Sequence, residues 1–248
     1  MRRMRTITLA AWVLMFPAIA LYAQAGRGNA PPTPKAASMT DFTGYWVSVV
    51  TEDWLYRMVT PSKGDYSGFP LNPEGRKMAD AWDPAKDEAE GNQCKVYGAP
   101  AIMRVPGRLH ITWQDDYTLK IETDAGTQTR LLNFRGGSAG SGGEWQGVSA
   151  AQWEVVAGAR GPVPGGAMKV LTTKMKPGYL RRNGVPYSAN AVVTEYFDRV
   201  TEPNGDSWLI VKTIVDDPQY LAQPFITSTH FKKQDDASGW NPMPCSAR

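Results

Sequence analysis

From Asp41 onward, apolar and aromatic residues alternate with polar ones at strand spacing, in many short segments separated by clusters of Gly, Pro, Asn and Asp. Helix-period stretches are scarce. The alternation predicts a first strand over about 45–51, followed by a proline- and glycine-broken loop over 60–73. One short helix comes next: Asn72 can cap it, Pro73 suits its first position, and residues 74–82 set Met78 and Trp82 four apart on one face, with Asp83-Pro84 as its stop. Residues 83–98 read as a polar loop. Over 108–134 the chain becomes a three-stranded meander (108–114, 117–122, 128–134) with turns at Asp115-Asp116 and Asp124-Ala125-Gly126. Further strands are predicted over 145–155, 168–175, 191–200, 207–215 and 225–232, with a strong turn at Pro203-Asn204-Gly205-Asp206. The glycine-rich run 135–143 joins two of them as a long hairpin loop, because strand character is the same on both sides.

Nine or ten short strands, in a chain with nine Trp and ten Tyr, predict an all-β barrel or sandwich whose large side chains fill a single interior. No period of 20 to 50 residues recurs, which excludes a propeller or solenoid. Residues 26–40 hold almost nothing to bury and read as a flexible leader, so the barrel domain spans 41–248. Ahead of the leader, Arg2, Arg3 and Arg5, an apolar run over 7–21 and the small residues Ala23 and Ala25 spell a secretory signal over 1–25. The run is about 15 residues, against the roughly 20 that span a bilayer, which argues against an uncleaved anchor. A periplasmic or secreted protein with no stable membrane insertion after cleavage is expected.

Cleavage changes the charge. Taking Arg2, Arg3 and Arg5 from 27 basic residues leaves 24, equal to the 24 acidic ones, so the formal +3 belongs to the precursor alone. No basic excess is left to release counterions from phosphates, and no nucleic acid partner is expected. Cys94 and Cys245 are the only cysteines, and in an oxidising compartment a disulfide is their simplest use. Free thiols, or a metal site with a histidine, are the alternatives.

Phe42-Thr43-Gly44-Tyr45-Trp46 places a G-x-W motif at the entry to the first strand, after a leader, which resembles the opening of lipocalins and the wider calycin barrels. That resemblance implies a single antiparallel calycin-like β-barrel whose base Trp46 closes, with Gly44 allowing close packing. The chain is also similar to a group of exported bacterial proteins of unassigned function, through Leu71-Asn72-Pro73-Glu74-Gly75-Arg76, Pro106-Gly107-Arg108, Trp145-Gln146-Gly147-Val148-Ser149 with Trp153-Glu154, Thr194-Glu195-Tyr196-Phe197, and Asp216-Asp217-Pro218 with Tyr220 and Pro224. This second likeness covers most of 41–232 and brings no mechanism with it. Where those proteins have a histidine ahead of the strand that carries the glutamate, this chain has Pro186-Tyr187-Ser188, so no role of that histidine carries over.

Few residues carry chemistry. Alternation sets His110, Thr112 and Gln114 on one face of their strand and Leu109, Ile111 and Trp113 on the other, so either His110 points into a partly polar lumen or the apolar trio does. His230 has a similar setting. Glu195, between Val193 and Phe197 on an apolar face, is the carboxylate most apt for burial and hence for a raised pKa, as a general base or in an interior ion pair with Arg104 or Arg130. Tyr187 and Asn190, in the loop before that strand, can close the mouth over a ligand and donate hydrogen bonds. No nucleophile elbow, Walker loop, dinucleotide fingerprint or zinc-type histidine pair occurs, so no cofactor and no metal are expected.

Three functions fit these features. The first is an exported protein holding a small apolar or aromatic molecule inside the barrel, with Trp46, Trp113, Asn190, Tyr196 and His230 contacting it. The second is a cofactor-independent lyase, isomerase or hydrolase, with Glu195 or His110 moving a proton and Tyr187 donating a hydrogen bond. The third is a structural or interaction protein of the envelope with a packed interior. Oligomeric state is not encoded in any of these patterns.

Overall fold

In β2 (Arg108–Trp113) Leu109 and Ile111 are buried while Arg108, His110 and Thr112 are half-exposed, and in β4 (Gln128–Asn133) Arg130 and Leu132 are buried between exposed Thr129 and Leu131. Period-two alternation of this kind gives each strand an inner and an outer face. The computed structural model describes residues 31–136, 144–155 and 166–247. The proposed signal 1–25, the start of the leader and most of the glycine-rich run 135–143 lie outside the described residues.

Nine strands close into a barrel. In spatial order they are β1 (Gly44–Val49), β11 (Phe225–Gln234), β10 (Ser207–Asp216), β9 (Val192–Thr201), β6 (Gly166–Thr173), β5 (Val148–Val155), β4, β3 (Thr118–Thr123) and β2, which pairs again with β1. Eight of the nine junctions are antiparallel. The sheet is nevertheless mixed rather than purely antiparallel, because β4 and β5 run parallel through the pairs Leu132↔Ser149 and Asn133↔Ala150. Parallel neighbours cannot be joined by a tight hairpin and need a crossover of about a dozen residues or more, and fourteen residues separate Asn133 from Val148. The expected hairpin loop is therefore a crossover.

Trp46 is fully buried at one end, its indole N–H donating to the Phe42 carbonyl at 2.9 Å, with the Lys233 ammonium 4.6 Å above its ring. Gly44 has φ 106°, a conformation that L side chains rarely adopt, and having no Cβ it lets that ammonium come close. Part of the predicted leader packs on the same end. The Lys35 N–H donates to Asp116 at 3.2 Å, and the Trp153 indole N–H to Pro34 at 2.9 Å. The barrel axis is filled by Ile111, Leu119, Ile121, Leu132, Met168, Val170, Phe197, Val211 and Phe231, all buried in one cluster.

The other end carries a cap. It consists of α1 (Trp54–Met58), α2 (Pro73–Asp80), α3 (Pro84–Ala89), 3-10 turns at Lys95–Tyr97 and Ile102–Arg104, and a hairpin of β7 (Gly178–Arg181) and β8 (Val185–Tyr187). Among the described residues there are thus three short helices rather than the one predicted. Asp83-Pro84 does not merely end α2, because the Asp83 carboxylate accepts the Ala85 and Lys86 N–H groups at 3.0 and 3.2 Å and starts α3. Asn72 caps α2 as expected, at 2.8 Å from Gly75 N. The buried side of α2 is Gly75 and Ala79, while Met78 is exposed, because a Cβ at Gly75 would overlap the Tyr220 carbonyl oxygen and only a small face can come that close. A second buried cluster, with Met175, Leu180, Val185, Tyr187, Val215 and Leu221, holds the cap together. The Cys94–Cys245 disulfide ties the C-terminal tail to it, and Met243 N–H bonds Asp124 at 2.8 Å. No helix among the described residues is long and apolar enough to cross a membrane.

Candidate functional site

Strand register scatters the residues singled out in the sequence. His110 is on the outer face of β2, stacked on Tyr45 at 4.2 Å and with Nδ1 3.2 Å from Glu122, so the apolar trio occupies the inner face and His110 does not point into the barrel. His230 is also outside, with Nδ1 3.2 Å from Thr51 Oγ1 and 3.4 Å from Glu52. Tyr196 lies on the outside between Lys169 and Lys212, at 5.6 and 4.5 Å. Asn190 is exposed on the loop before β9, and Trp113 packs on Phe134 at 5.6 Å. No two of the three expected catalytic residues share a space.

Glu195 does point inward and is fully buried. Its carboxylate accepts two hydrogen bonds from Arg130, at 3.1 and 2.5 Å, and Arg130 Nη2 also reaches Thr172 at 3.4 Å, which bonds Ser149 at 2.8 Å. This is the interior ion pair, with Arg130 as partner rather than Arg104. A bidentate pair of this kind holds both side chains in one fixed geometry.

Tyr187 is buried in the cap, not at a mouth, and burial raises its phenol above the ordinary value. Its hydroxyl has no partner among the described residues and sits where a Cβ on Gly98 would overlap it. Gly98→Ala should therefore destabilise the protein by about 1–3 kcal/mol through overpacking, and adding Tyr187→Phe should recover part of that loss. Thermal unfolding of the two single variants and the double variant checks this. Tyr187→Phe alone is expected to be neutral or slightly stabilising, and losses that merely add would contradict the contact.

What the fold gathers instead is arginine. Between α1, the second 3-10 turn and the β7–β8 hairpin lies a narrow cleft of about 50 Å³, with Arg57, Arg104, Arg181 and Arg182 in its wall beside Tyr56 and Leu180. The side chains of Arg57 and Arg104 are only 2% and 6% exposed. Arg57 Nε donates to the Arg104 carbonyl at 2.9 Å and its Nη1 pairs with Glu52, while Arg104 Nη2 meets Asp53 at 2.9 Å. Three further nitrogens are buried without a partner among the described residues: Arg57 Nη2, Arg104 Nε and Arg104 Nη1. Arg181 is fully engaged, donating to Asn183 at 3.0 Å, to Ser67 at 3.1 Å and to the Asp65 carbonyl.

Aromatic rings stand against these guanidinium groups. The Arg104 guanidinium carbon stands 5.4 Å from the Phe69 ring and 5.2 Å from Phe225, and that of Arg181 stands 4.9 Å from Tyr56 and 4.8 Å from Phe69. Burial lowers the pKa of Arg57, Arg104 and Arg181. For Arg104 desolvation, helped by repulsion from Arg57 and Arg181, brings it down to about 10, so it stays charged at neutral pH. Among the described residues no three His, Cys, Asp or Glu side chains are gathered to hold a metal ion.

Arg57, Arg104 and Arg181-Arg182 are spread over some 125 residues, and no local motif links them. Only the Arg181-Arg182 doublet is visible in the sequence as unusual. No protein-family model, no curated protein and no solved structure matches the chain. The fold and this site together define a closed, capped nine-stranded β-barrel, consistent with a calycin-like barrel, with a cationic cleft in its cap.

Proposed function

We propose that this is an exported small-molecule-binding barrel that holds its ligand in the cap cleft rather than on the barrel axis. The observation that carries the reading is the cleft's lining: a small concavity of about 50 Å³ walled by Tyr56 and by aliphatic and cationic side chains. The axis, where an apolar ligand was expected, is occupied by packed side chains and by the Arg130–Glu195 pair. The base built on Gly44 and Trp46 supports kinship with calycin barrels, and the disulfide supports export. Proton-transfer catalysis by Glu195 with His110 draws no support from their placement on opposite faces of the wall.

The filled interior also favours a second reading, an envelope protein whose barrel is purely structural. One experiment separates the two. Compounds selected from an aromatic and organic-acid library by thermal shift are titrated calorimetrically against the wild type and against Thr60→Trp, which fills the cleft from its half-exposed rim. Binding in the cleft predicts at least a tenfold loss of affinity in Thr60→Trp and none in His110→Ala. Hits that bind both variants like the wild type, or an absence of hits, would leave the structural reading.

A further inference from the structure

We infer that the cap cleft recognises an oxyanion carried on an apolar body, an organic carboxylate, and that Asp53 is its built-in competitor. The inference rests on the reading of the cleft as the ligand site and adds the chemistry of what fills it.

The argument is an inventory of donors. A guanidinium has five N–H bonds and no acceptor, so each buried nitrogen needs an oxygen in front of it. The side chains of Arg57 and Arg104 are more than nine-tenths buried, line the same cleft, and between them leave three nitrogens without a partner among the described residues. Orphaned charged donors are among the most costly groups to bury. Water in the cleft could accept hydrogen bonds from them, but it would not offset the mutual repulsion of three cations. Arg104 feels both Arg57 and Arg181 as repulsive charges, alongside the stronger attraction of Asp53 and the weaker one of Glu52. An anion answers both needs at once.

The carboxylates already present are poor substitutes. Glu52 takes only Nη1 of Arg57, and Asp53 takes only Nη2 of Arg104 while its own side chain is half exposed, so solvent screens it. Asp65, the remaining carboxylate that acts on Arg181, is half-exposed and gives that arginine only its backbone carbonyl as a hydrogen-bond acceptor. Asp53 also occupies the left-handed region at φ 49°, immediately before the five-residue α1, whose Trp54, Leu55 and Met58 are exposed. The Asp53 carboxylate thus reaches Arg104 from a short, thinly packed segment, and a ligand oxyanion would meet the same guanidinium from the cleft. Tyr56, Met58, Val96 and Leu180 supply the apolar wall for the rest of the molecule, which is why an organic acid is favoured over a bare inorganic anion.

The test uses the full mature chain and four probes: benzoate, phenyl phosphate, inorganic phosphate and neutral benzamide, with affinities read by titration. Benzoate is expected to bind at least tenfold more tightly than benzamide and than inorganic phosphate, and to weaken as salt is raised. Arg104→Met should weaken benzoate at least tenfold. Asp53→Asn should tighten it several-fold, since asparagine tolerates the left-handed backbone and frees Arg104 Nη2. That gain cannot come from lost folding, so it decides the matter even if Arg104→Met fails to fold. Phenyl phosphate binding tenfold better than benzoate would replace carboxylate by phosphoryl as the ligand group and overturn the assignment of class. Equal binding of benzoate and benzamide in a Thr60→Trp-sensitive manner would overturn the inference while leaving the cleft as the ligand site. Failure of every probe and every library compound would overturn both.

Discussion

Glu195→Ala will destabilise the folded protein by about 3–5 kcal/mol, because it leaves the guanidinium of Arg130 charged and uncompensated in the barrel interior. Neither side chain has any exposed surface, so the lost partner cannot be replaced by solvent. Arg130 already leaves Nε without a partner, and without Glu195 its remaining contact would be Thr172 at 3.4 Å. Arg130→Met will cost a similar amount from the other side, by burying an unpaired carboxylate. The double variant Arg130→Met with Glu195→Leu will recover most of either loss, since an apolar pair of comparable volume removes both the attraction and the desolvation that opposes it. Urea unfolding of the three variants gives the comparison. A loss below about 1 kcal/mol in Glu195→Ala would show that the carboxylate is not held as the structure has it.

The second large effect concerns the tail. Cys94 and Cys245 are 151 residues apart, and closing so long a loop restricts the unfolded chain by about 5 kcal/mol on the chain-entropy account. Reduction, or Cys94→Ser with Cys245→Ser, will therefore lower stability by several kcal/mol, read as a shift in the urea midpoint with and without reductant. The tail should detach first, because apart from the disulfide it is held to the β3–β4 turn by few bonds, among them Met243 N–H to Asp124 and Thr127 to the Met243 carbonyl at 3.0 Å. An unchanged midpoint would mean that the tail contributes nothing to the folded body.

Much of the architecture is legible because a strand with one face in the core writes that face into every second residue. Leu109 and Ile111, Leu119 and Ile121, Arg130 and Leu132 all follow the alternation, and the inner position of Glu195 follows from Val193 and Phe197 beside it. The sense of a connection is not written in the same way. The run 135–143 has the composition of a hairpin loop or a crossover, and only the pairing of β4 with β5 tells which. Asp83-Pro84 is ambiguous for a related reason: the residues that forbid helix continuation are also those that begin a helix well. The arginine cleft was out of reach of sequence because Arg57, Arg104 and Arg181 meet only after the β1–β2 excursion folds over the barrel end against β7. The alternation of Leu109, Ile111 and Trp113 on β2 did point to His110 lying outside, and the structure settles that choice between faces.

The parallel seam has a further consequence, which is one of parity. Each antiparallel junction reverses the chain direction, so a ring of nine strands cannot close through reversals alone, and an odd number of junctions must run parallel. The barrel meets this requirement once, at the shortest ladder in the ring, with two paired positions between β4 and β5. Side chains reinforce what the backbone leaves thin there: Arg130 leaves β4, skips its neighbour and grips Thr172 on β6 and Glu195 on β9, while Ser149 of β5 bonds to that same threonine. The buried charge pair is thus the stitch across the join that an odd-numbered ring is obliged to have.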